Sequence, residues 1–358
     1  MFDGIQKLEP EAGFKLAAKQ KNGIDMRFGT SIAIAALLTA AGFVGPVAAE
    51  DGIVIYNAQH EGLTKEWADA FTKETGIPVT VRKGSDMEFA NQIVQEGANS
   101  PADVFLTENS PAMALVDSKS LFEPVDQATL EQVPAEFRPA NGHWIGIAAR
   151  STVFAYDKTK LTEDQLPKSM LDLAKPEWKG RWAASPSGAD FQAIVGALLQ
   201  LKGETETAEW LKGMKTNFTA YKGNSTAMKA VNAGEIPGAV IYHYYYFGDQ
   251  AKTGENSGNV GLHYFRGQDP GAFLSTSGAG VLASSKHKKE AEAFVKWMSG
   301  KNGQAVLREG DSFEYAIGNG EASNPKLEPI ARLDAPKVEP SQLDSKKVTE
   351  LMTAAGLL

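Results

Sequence analysis

Between residues 53 and 106 the sequence alternates short apolar runs with amphipathic stretches, and this order restricts the fold more than any other feature. Leu63, Trp67 and Phe71 recur every four residues, as on one face of a helix. The pattern predicts strands at residues 53–56, 77–81 and 102–106, separated by helices that end at Gly76 and Gly97. A β-α-β-α-β order of this kind predicts an α/β fold with a parallel sheet covered by helices.

The rest of the chain continues the α/β pattern without a single linker. Further strands are predicted at residues 153–156, 238–241, 263–265 and 280–282, and helices at 191–201, 207–211, 227–231, 290–298 and 348–355, with a loop over 171–182. Residues 50–358 make up 309 residues, more than one hydrophobic core usually supports, so we expect two lobes. We predict that the chain crosses between them near Gly146 and near residues 271–274. Lobe one would hold residues 50–147 and about 273–326, and lobe two residues 148–272 and about 327–358.

The N-terminal region carries the pattern of a secretory signal peptide. Arg27 precedes an apolar run over residues 32–44 that is too short to span a membrane, and small residues follow at 47–49. We therefore predict a signal peptide over residues 26–49 and an exported, periplasmic product. The chain has no cysteine, so we expect neither a disulfide nor a lipid anchor on a cysteine after the signal.

Residues 1–25 precede this signal and are polar without a recognisable pattern. We expect them to be an upstream extension without structure, with Met26 as the true start. The alternative is an unusually long basic region of the signal peptide itself.

Charge and motifs narrow the classes of function. A formal net charge of −8 makes nucleic acid and anionic membranes poor partners. The chain contains no HExxH, GxSxG or GxxxxGK[ST] motif, and its acidic residues show no paired spacing. We therefore do not predict an enzyme.

Four of the nine tyrosines lie within the five residues from Tyr242 to Tyr246, with His243 among them. An aromatic strand is the ordinary interpretation. In a strand, however, Tyr244 and Tyr245 would point to opposite faces, whereas in a first helical turn both hydroxyls can reach one point. Residues 247–251 are poor strand formers, so we favour the helical turn and a hard-metal site.

Polar segments also follow two of the predicted strands. Residues 57–61 follow the first strand and residues 107–110 the third, at the sheet edge where open α/β sheets place ligands. The second segment is equally well explained as a loop that starts a helix.

Two further segments resemble sites for an anion at a helix N-terminus. Residues 185–189 lead into the helix predicted at Phe191, and residues 224–226 lead into the helix predicted at Ala227. Free N–H groups at such termini bind anions. Ordinary N-capping explains both segments equally well.

Taken in order, several short motifs resemble those of the periplasmic ferric-ion-binding proteins, transferrin-like members of the type II periplasmic binding fold. They are YNAQH at residues 56–60, PADVF at 101–105, TE at 107–108, SGA at 187–189, KGNS at 222–225, YY at 244–245 and QDPGA at 268–272. The resemblance covers residues 52–358. It implies mixed sheets covered by helices in two lobes joined by crossover hinge strands.

The resemblance also implies a function and a set of residues. Such proteins capture Fe(III) with a synergistic anion, phosphate or carbonate, and deliver it to the permease of an ABC importer; we expect a monomer. The implied metal ligands are His60, Glu108, Tyr244 and Tyr245. The implied anion-binding residues are Ser187, Gly188, Ala189 and Asn224. Asn109 and Tyr242 depart from the family pattern at the anion site.

The chemistry of the implied ligands agrees with a ferric ion. Fe(III) is a hard cation that prefers anionic oxygen. Two tyrosinates and the Glu108 carboxylate supply three negative charges, His60 adds none, and Arg150 is a candidate to balance an anion. A binding protein for another small ligand (thiamine, a polyamine or an oxyanion) and a secreted phosphate-ester hydrolase remain the alternatives.

Overall fold

Nine strands join in one mixed sheet that ten α-helices cover, within residues 52–358, the part of the chain that the computed structural model describes. The strands are β1 (Ile53–Asn57), β2 (Val79–Lys83), β3 (Val104–Leu106), β4 (Ile145–Asp157), β5 (Trp182–Ala184), β6 (Phe218–Ala220), β7 (Gly238–Tyr242), β8 (Val260–His263) and β9 (Leu274–Val281). The helices are α1 (Glu61–Thr75), α2 (Asp86–Glu96), α3 (Ser110–Asp117), α4 (Gln127–Leu130), α5 (Ala189–Asn217), α6 (Asn224–Asn232), α7 (Tyr244–Lys252), α8 (Lys288–Ser299), α9 (Lys301–Glu309) and α10 (Ser345–Ala354). The predicted signal peptide and upstream extension lie outside these residues.

Strand β4 connects the two halves of the sheet, whose order is β2-β1-β3-β9-β4-β7-β5-β6, with β8 also paired to β4. Its first part, up to Ser151, pairs antiparallel with β9. From Thr152 onward it pairs antiparallel with β7, and its last residues also pair with β8. The fold is therefore the predicted two-lobed α/β arrangement, and we call the half of the sheet with β1–β3 lobe one and the half with β5–β8 lobe two. The residue boundaries predicted for the lobes stay a prediction.

The predicted β-α-β-α-β opening is confirmed. Strand β1 pairs in parallel with both β2 and β3, as the alternation of elements requires. Gly76 ends α1 in the left-handed conformation, with φ of 80°. Strand β2 begins at Val79, two residues later than predicted, because Ile77 and Pro78 form the connection from helix α1.

Other predictions of single elements were too short or wrong. Strand β4 has 13 residues, where only residues 153–156 were predicted. Strand β5 lies at the end of a segment predicted as a loop, and three residues are too few to show a period. By contrast, the prediction of two helices over residues 191–201 and 207–211 is confirmed, because α5 is interrupted at Gly203, whose φ of 79° and ψ of 173° are not helical.

Both faces of the sheet are buried, which explains why its central strands lack an alternating pattern. Every residue of β3 and β7 is buried, and so is all of β4 except Tyr156. Within residues 52–358 no helix combines the length and the apolar composition needed to span a bilayer.

Candidate metal site

Tyr244 and Tyr245 lie on the first turn of α7, directly after β7 ends at Tyr242. Their ring centroids are 4.2 Å apart, so the two phenols are neighbours on one side of the turn. The prediction of a helical turn is confirmed, and the strand interpretation is wrong beyond Tyr242. Because only His243 separates β7 from α7, the two side chains stand together where the strand ends.

His60 and Glu108 reach the same place from lobe one. His60 follows β1 at the start of α1, and Glu108 follows β3 just before α3. The Nε2 atom of His60 lies 3.2 Å from Oε1 of Glu108, and the hydroxyl of Tyr244 donates to the same oxygen at 2.8 Å. Glu108 thus contacts residues of both lobes.

Asp190, which the sequence analysis did not single out, completes this cluster. Its Oδ2 atom accepts hydrogen bonds from Tyr245 at 3.2 Å, from Asn224 at 2.7 Å and, more weakly, from Tyr244 at 3.5 Å. Its Oδ1 atom accepts one from Asn109 at 3.0 Å. Asp190 follows the SGA motif directly and immediately precedes the helix predicted from Phe191, and that position was the available signal.

The four residues predicted to bind an anion differ in their relation to Asp190. Asn224, the first residue of α6, contacts the carboxylate, whereas Ser187 is exposed and uses its carbonyl to accept from Gln192. Gly188 and Ala189 form the entry to α5. Gly188 and Gly223 stand at the N-cap positions of α5 and α6, and no side-chain hydrogen bond caps either helix.

The entry to α5 also holds an unsatisfied polar group. The hydroxyl of Ser185 is buried and finds no hydrogen-bond partner within the described part of the chain. A Cβ atom placed on Gly188 would lie 3.3 Å from it. A buried hydroxyl beside uncapped backbone N–H groups is suited to an anionic oxygen.

Arg150, the candidate for balancing charge, lies fully buried beside the ligands. Its guanidinium is 3.1 Å from Oε2 of Glu314 and 3.9 Å from Oε1 of Glu108, and it donates to the main-chain carbonyl of Glu108. Sequence reasoning missed Glu314, which no recognised motif contains.

Hydrogen bonds across the cluster shift the pKa values of His60 and Glu108 apart. Burial opposes the charged form of Glu108, yet the hydrogen bond from His60 and the charge of Arg150 lower the pKa of Glu108 to about 2. Burial also opposes the charged imidazole, but the carboxylates of Glu108 and Glu314 raise the pKa of His60 to about 10. Without a metal, the two residues form a charged pair.

Two aspartates and the two tyrosines of the cluster hold their protons more tightly than usual. Burial and the charge of Glu108 raise the pKa of Asp86 and that of Asp190 to about 7. Burial and the nearby Asp190 carboxylate raise the pKa values of Tyr244 and Tyr245 far above the ordinary value for a phenol. A cation that binds here must therefore displace protons.

The other two tyrosines of residues 242–246 do not join His60 and Glu108 in the cluster. Tyr242 is buried behind Asp190 and donates to its main-chain carbonyl at 3.2 Å. Tyr246 packs against a second apolar cluster that includes Val153 and Ala155.

A cleft of about 550 Å³ opens over the cluster, lined by His60, Tyr244 and Tyr245 and by residues of both lobes. Within residues 52–358, no group of three or more His, Asp or Glu residues is arranged to hold a metal ion without other ligands. The tyrosine hydroxyls add the anionic oxygens that a hard cation prefers.

A two-lobed α/β fold whose lobes contribute polar side chains to one cleft defines a solute-binding protein. The family model for bacterial extracellular solute-binding proteins matches residues 99–339. The chain belongs to this family.

Proteins similar to this chain include several that are named for iron binding. The chain is 70% identical over 310 residues to the Fe(3+)-binding periplasmic protein of Serratia marcescens, a match that covers 87% of this chain and 92% of the relative. It is 38% identical over 331 residues to the major ferric iron-binding protein of Neisseria meningitidis, a match that covers 92% and 99%. The solved structure of iron-bound HitA from Pseudomonas aeruginosa is similar with a TM-score of 0.79 and 41% identity, covering 86% of this chain and 100% of HitA.

Proposed function

We propose that this protein captures Fe(III) in the cleft between its lobes and delivers it to the permease of an ABC importer. The observation that carries the proposal is the convergence of His60 and Glu108 from lobe one with Tyr244 and Tyr245 from lobe two. The names of the relatives support the choice of ferric ion over other solutes. The proposed metal ligands are these four residues.

The chemistry of the four ligands supports a trivalent cation. Two tyrosinates and the Glu108 carboxylate carry three negative charges, which balance Fe(III). The raised pKa values of Tyr244 and Tyr245 keep both phenols neutral until a metal displaces their protons. In the metal-free protein both phenols are neutral and His60 is charged, so a divalent cation should bind less strongly than a trivalent one.

The Asp190 carboxylate lies where the sequence analysis expected a synergistic anion. Its carboxylate already accepts hydrogen bonds from Asn224 and Tyr245, the contacts expected for a synergistic phosphate or carbonate. We propose that Asp190 takes that anion's place beside the metal, so that an external anion held by residues 187–189 binds only where it displaces the carboxylate. Ser185, with its unsatisfied hydroxyl, supports a residual role for such an anion.

The proposed setting follows from the same relatives. We propose a monomer in the periplasm, exported by the signal peptide predicted over residues 26–49, without a lipid anchor, a nucleic-acid partner or a catalytic activity. The relatives are named as binding proteins, and one is named as periplasmic.

The decisive experiment is a visible spectrum of the purified protein on addition of ferric citrate, with and without phosphate or carbonate. We expect a tyrosinate-to-iron charge-transfer band in wild type without either anion, and a band in Asp190→Asn that depends on the added anion. A wild-type protein without the band would overturn the ferric proposal and favour another small ligand. A wild-type band that requires added anion would overturn the role of Asp190 alone.

A further inference from the structure

Glu314 is a fully buried carboxylate that no part of the ferric proposal uses. It lies in the segment between α9 and the C-terminal region, beside Tyr315, which bridges to Ala149 of β4. Its Oε2 atom is 3.1 Å from Arg150 and accepts a hydrogen bond from Gln59 at 3.1 Å. Its Oε1 atom lies 3.2 Å from Nδ1 of His60.

The two carboxylate oxygens are satisfied unequally. Oε2 has two donors, whereas Oε1 accepts no hydrogen bond within residues 52–358. The imidazole of His60, 3.2 Å away, is the group that could donate one. A buried anionic oxygen without a donor is costly, so a small rotation of the ring toward Glu314 is favoured. The side chain of His60 is 36% exposed and faces the open cleft, so it has room for that rotation.

The same cluster fixes the main chain of both lobe-one ligands. The Oε1 atom of Gln59 accepts from the backbone N–H of His60 at 2.7 Å and from Arg150 at 3.0 Å. Arg150 in turn donates to the carbonyl of Glu108. Gln59, Arg150 and Glu314 thus form one buried unit behind the ligands.

We propose that Glu314, held by Arg150 and Gln59, is the positioning residue that turns Nε2 of His60 toward the ferric ion. A carboxylate paired with a guanidinium can only accept, so the ring nitrogen that faces it must be the one that carries a proton. This leaves Nε2, on the side of Glu108 and Tyr244, to bind the metal. The inference rests on the proposed function and extends it to a residue that does not touch the iron.

The first experiment reads the ring directly, in wild-type protein loaded with Ga(III), a diamagnetic trivalent substitute for Fe(III). Long-range proton–nitrogen NMR of the His60 ring is expected to show the proton on Nδ1 and the metal-induced shift on Nε2, with His60→Ala used to assign the signals. A proton on Nε2 with the metal at Nδ1 would overturn the inference. Failure of the protein to bind Ga(III) or Fe(III) at all would instead overturn the proposed function.

The second experiment is a double-mutant cycle on ferric affinity, measured by competition with a chelator. Glu314→Gln is expected to weaken binding about 10- to 100-fold, the usual effect of changing the partner of a metal-bound histidine. In a His60→Ala background the same change should have little further effect, because Glu314 then has no ring to orient. An equal loss in both backgrounds would show a structural role and reject the inference.

Glu321→Gln serves as the matched control. Glu321 also pairs with an arginine, Arg308, at 3.3 Å and is partly buried, but it contacts no residue of the site. It should leave ferric affinity unchanged. Thermal unfolding of the metal-free variants identifies any loss of affinity that comes from unfolding, and the NMR result on wild type stands independently of them.

Discussion

The hydroxyls of Tyr244 and Tyr245 must each lose a proton and become anionic if a ferric ion binds them. Replacing either tyrosine by Phe removes one of the two tyrosinate oxygens, so Tyr244→Phe and Tyr245→Phe should each lose much of the charge-transfer band. Each should also weaken ferric binding by well over the 10- to 100-fold cost of altering a supporting residue. Visible titration with ferric citrate measures both effects.

Tyr246→Phe is the control for these two variants. Its ring packs in the apolar cluster of lobe two, so loss of its hydroxyl should leave both the band and the affinity nearly unchanged. Iron loss in Tyr246→Phe, or a normal band in both Tyr244→Phe and Tyr245→Phe, would show that the wrong pair is assigned.

Asp190 makes the stability of the metal-free protein depend on pH in a predictable direction. An ordinary Asp has a pKa near 3.9 in the unfolded chain, whereas burial and Glu108 raise the pKa of Asp190 to about 7. The folded state therefore binds more protons, and the contribution of this group is lost as pH rises from about 4 through 7. Asp190→Asn should thus gain free energy of unfolding relative to wild type by roughly 1–3 kcal/mol between pH 5 and pH 8.

Urea unfolding of both metal-free proteins across that pH range measures the difference. Comparing the two proteins cancels the titration of the other carboxylates, several of which respond to acid in the opposite direction. A difference that stays constant with pH, or that falls as pH rises, would contradict the assignment of a raised pKa to Asp190.

At the scale of single elements, sequence reasoning succeeded where the signal is local. The turn at Tyr244 could be predicted because helix and strand place consecutive side chains differently, and residues 247–251 do not suit a strand. Asp190, Arg150 and Glu314 could not be ranked, because their importance comes from partners more than 30 residues away. Only burial distinguishes these charged residues from surface ones.

The length of β4 shows the same limit. Its early residues include small and polar side chains that carry no strand period, and they extend only because β9 supplies hydrogen bonds from more than 120 residues along the chain. Long-range pairing overrides local preference in this strand.

Helix α7 offers a test of an element that carries ligands. Gly248 lies inside it, and an added Cβ would meet no atom within 4 Å. Gly248→Ala should therefore raise the free energy of unfolding by about 0.5–1 kcal/mol, the cost of glycine in a helix, and leave ferric affinity unchanged.

Gly238→Ala, in β7 directly before the tyrosines, is the contrasting variant. An added Cβ would come within 2.1 Å of the Phe154 ring, so we expect destabilisation by about 1–3 kcal/mol. Urea unfolding compares the two variants. Destabilisation by Gly248→Ala, or tolerance of Gly238→Ala, would contradict the packing of this strand and helix.

At the scale of the whole molecule, the proposed ligands join parts of the chain that approach the cleft from opposite lobes. A ligand that binds only the folded protein raises its stability by an amount that grows with the ratio of ligand concentration to the dissociation constant. Ferric loading should therefore raise the melting temperature, and small-angle scattering should show a molecule that is no larger than the metal-free form. Expansion on loading would contradict closure of the lobes on the ion.

Iron release by acid follows from the proton balance of the whole site. Tyr244, Tyr245 and Nε2 of His60 each hold a proton in the metal-free protein, since the pKa values of all three groups are raised. Binding must release these protons, so affinity should fall steadily as pH falls. Below about pH 7 Asp190 adds one more proton to the balance, and the dependence should become steeper.

The measurement is ferric affinity in wild type and Asp190→Asn from pH 5 to pH 8, with proton release recorded against a blank without protein. The two proteins should release similar numbers of protons at pH 8, and wild type should release about one more at pH 5 to 6, because the amide in the Asp190→Asn variant has no proton to lose. An affinity independent of pH would mean that the phenols do not bind the metal as tyrosinates. An equal proton count at every pH would leave the tyrosines in place and remove Asp190 from the metal.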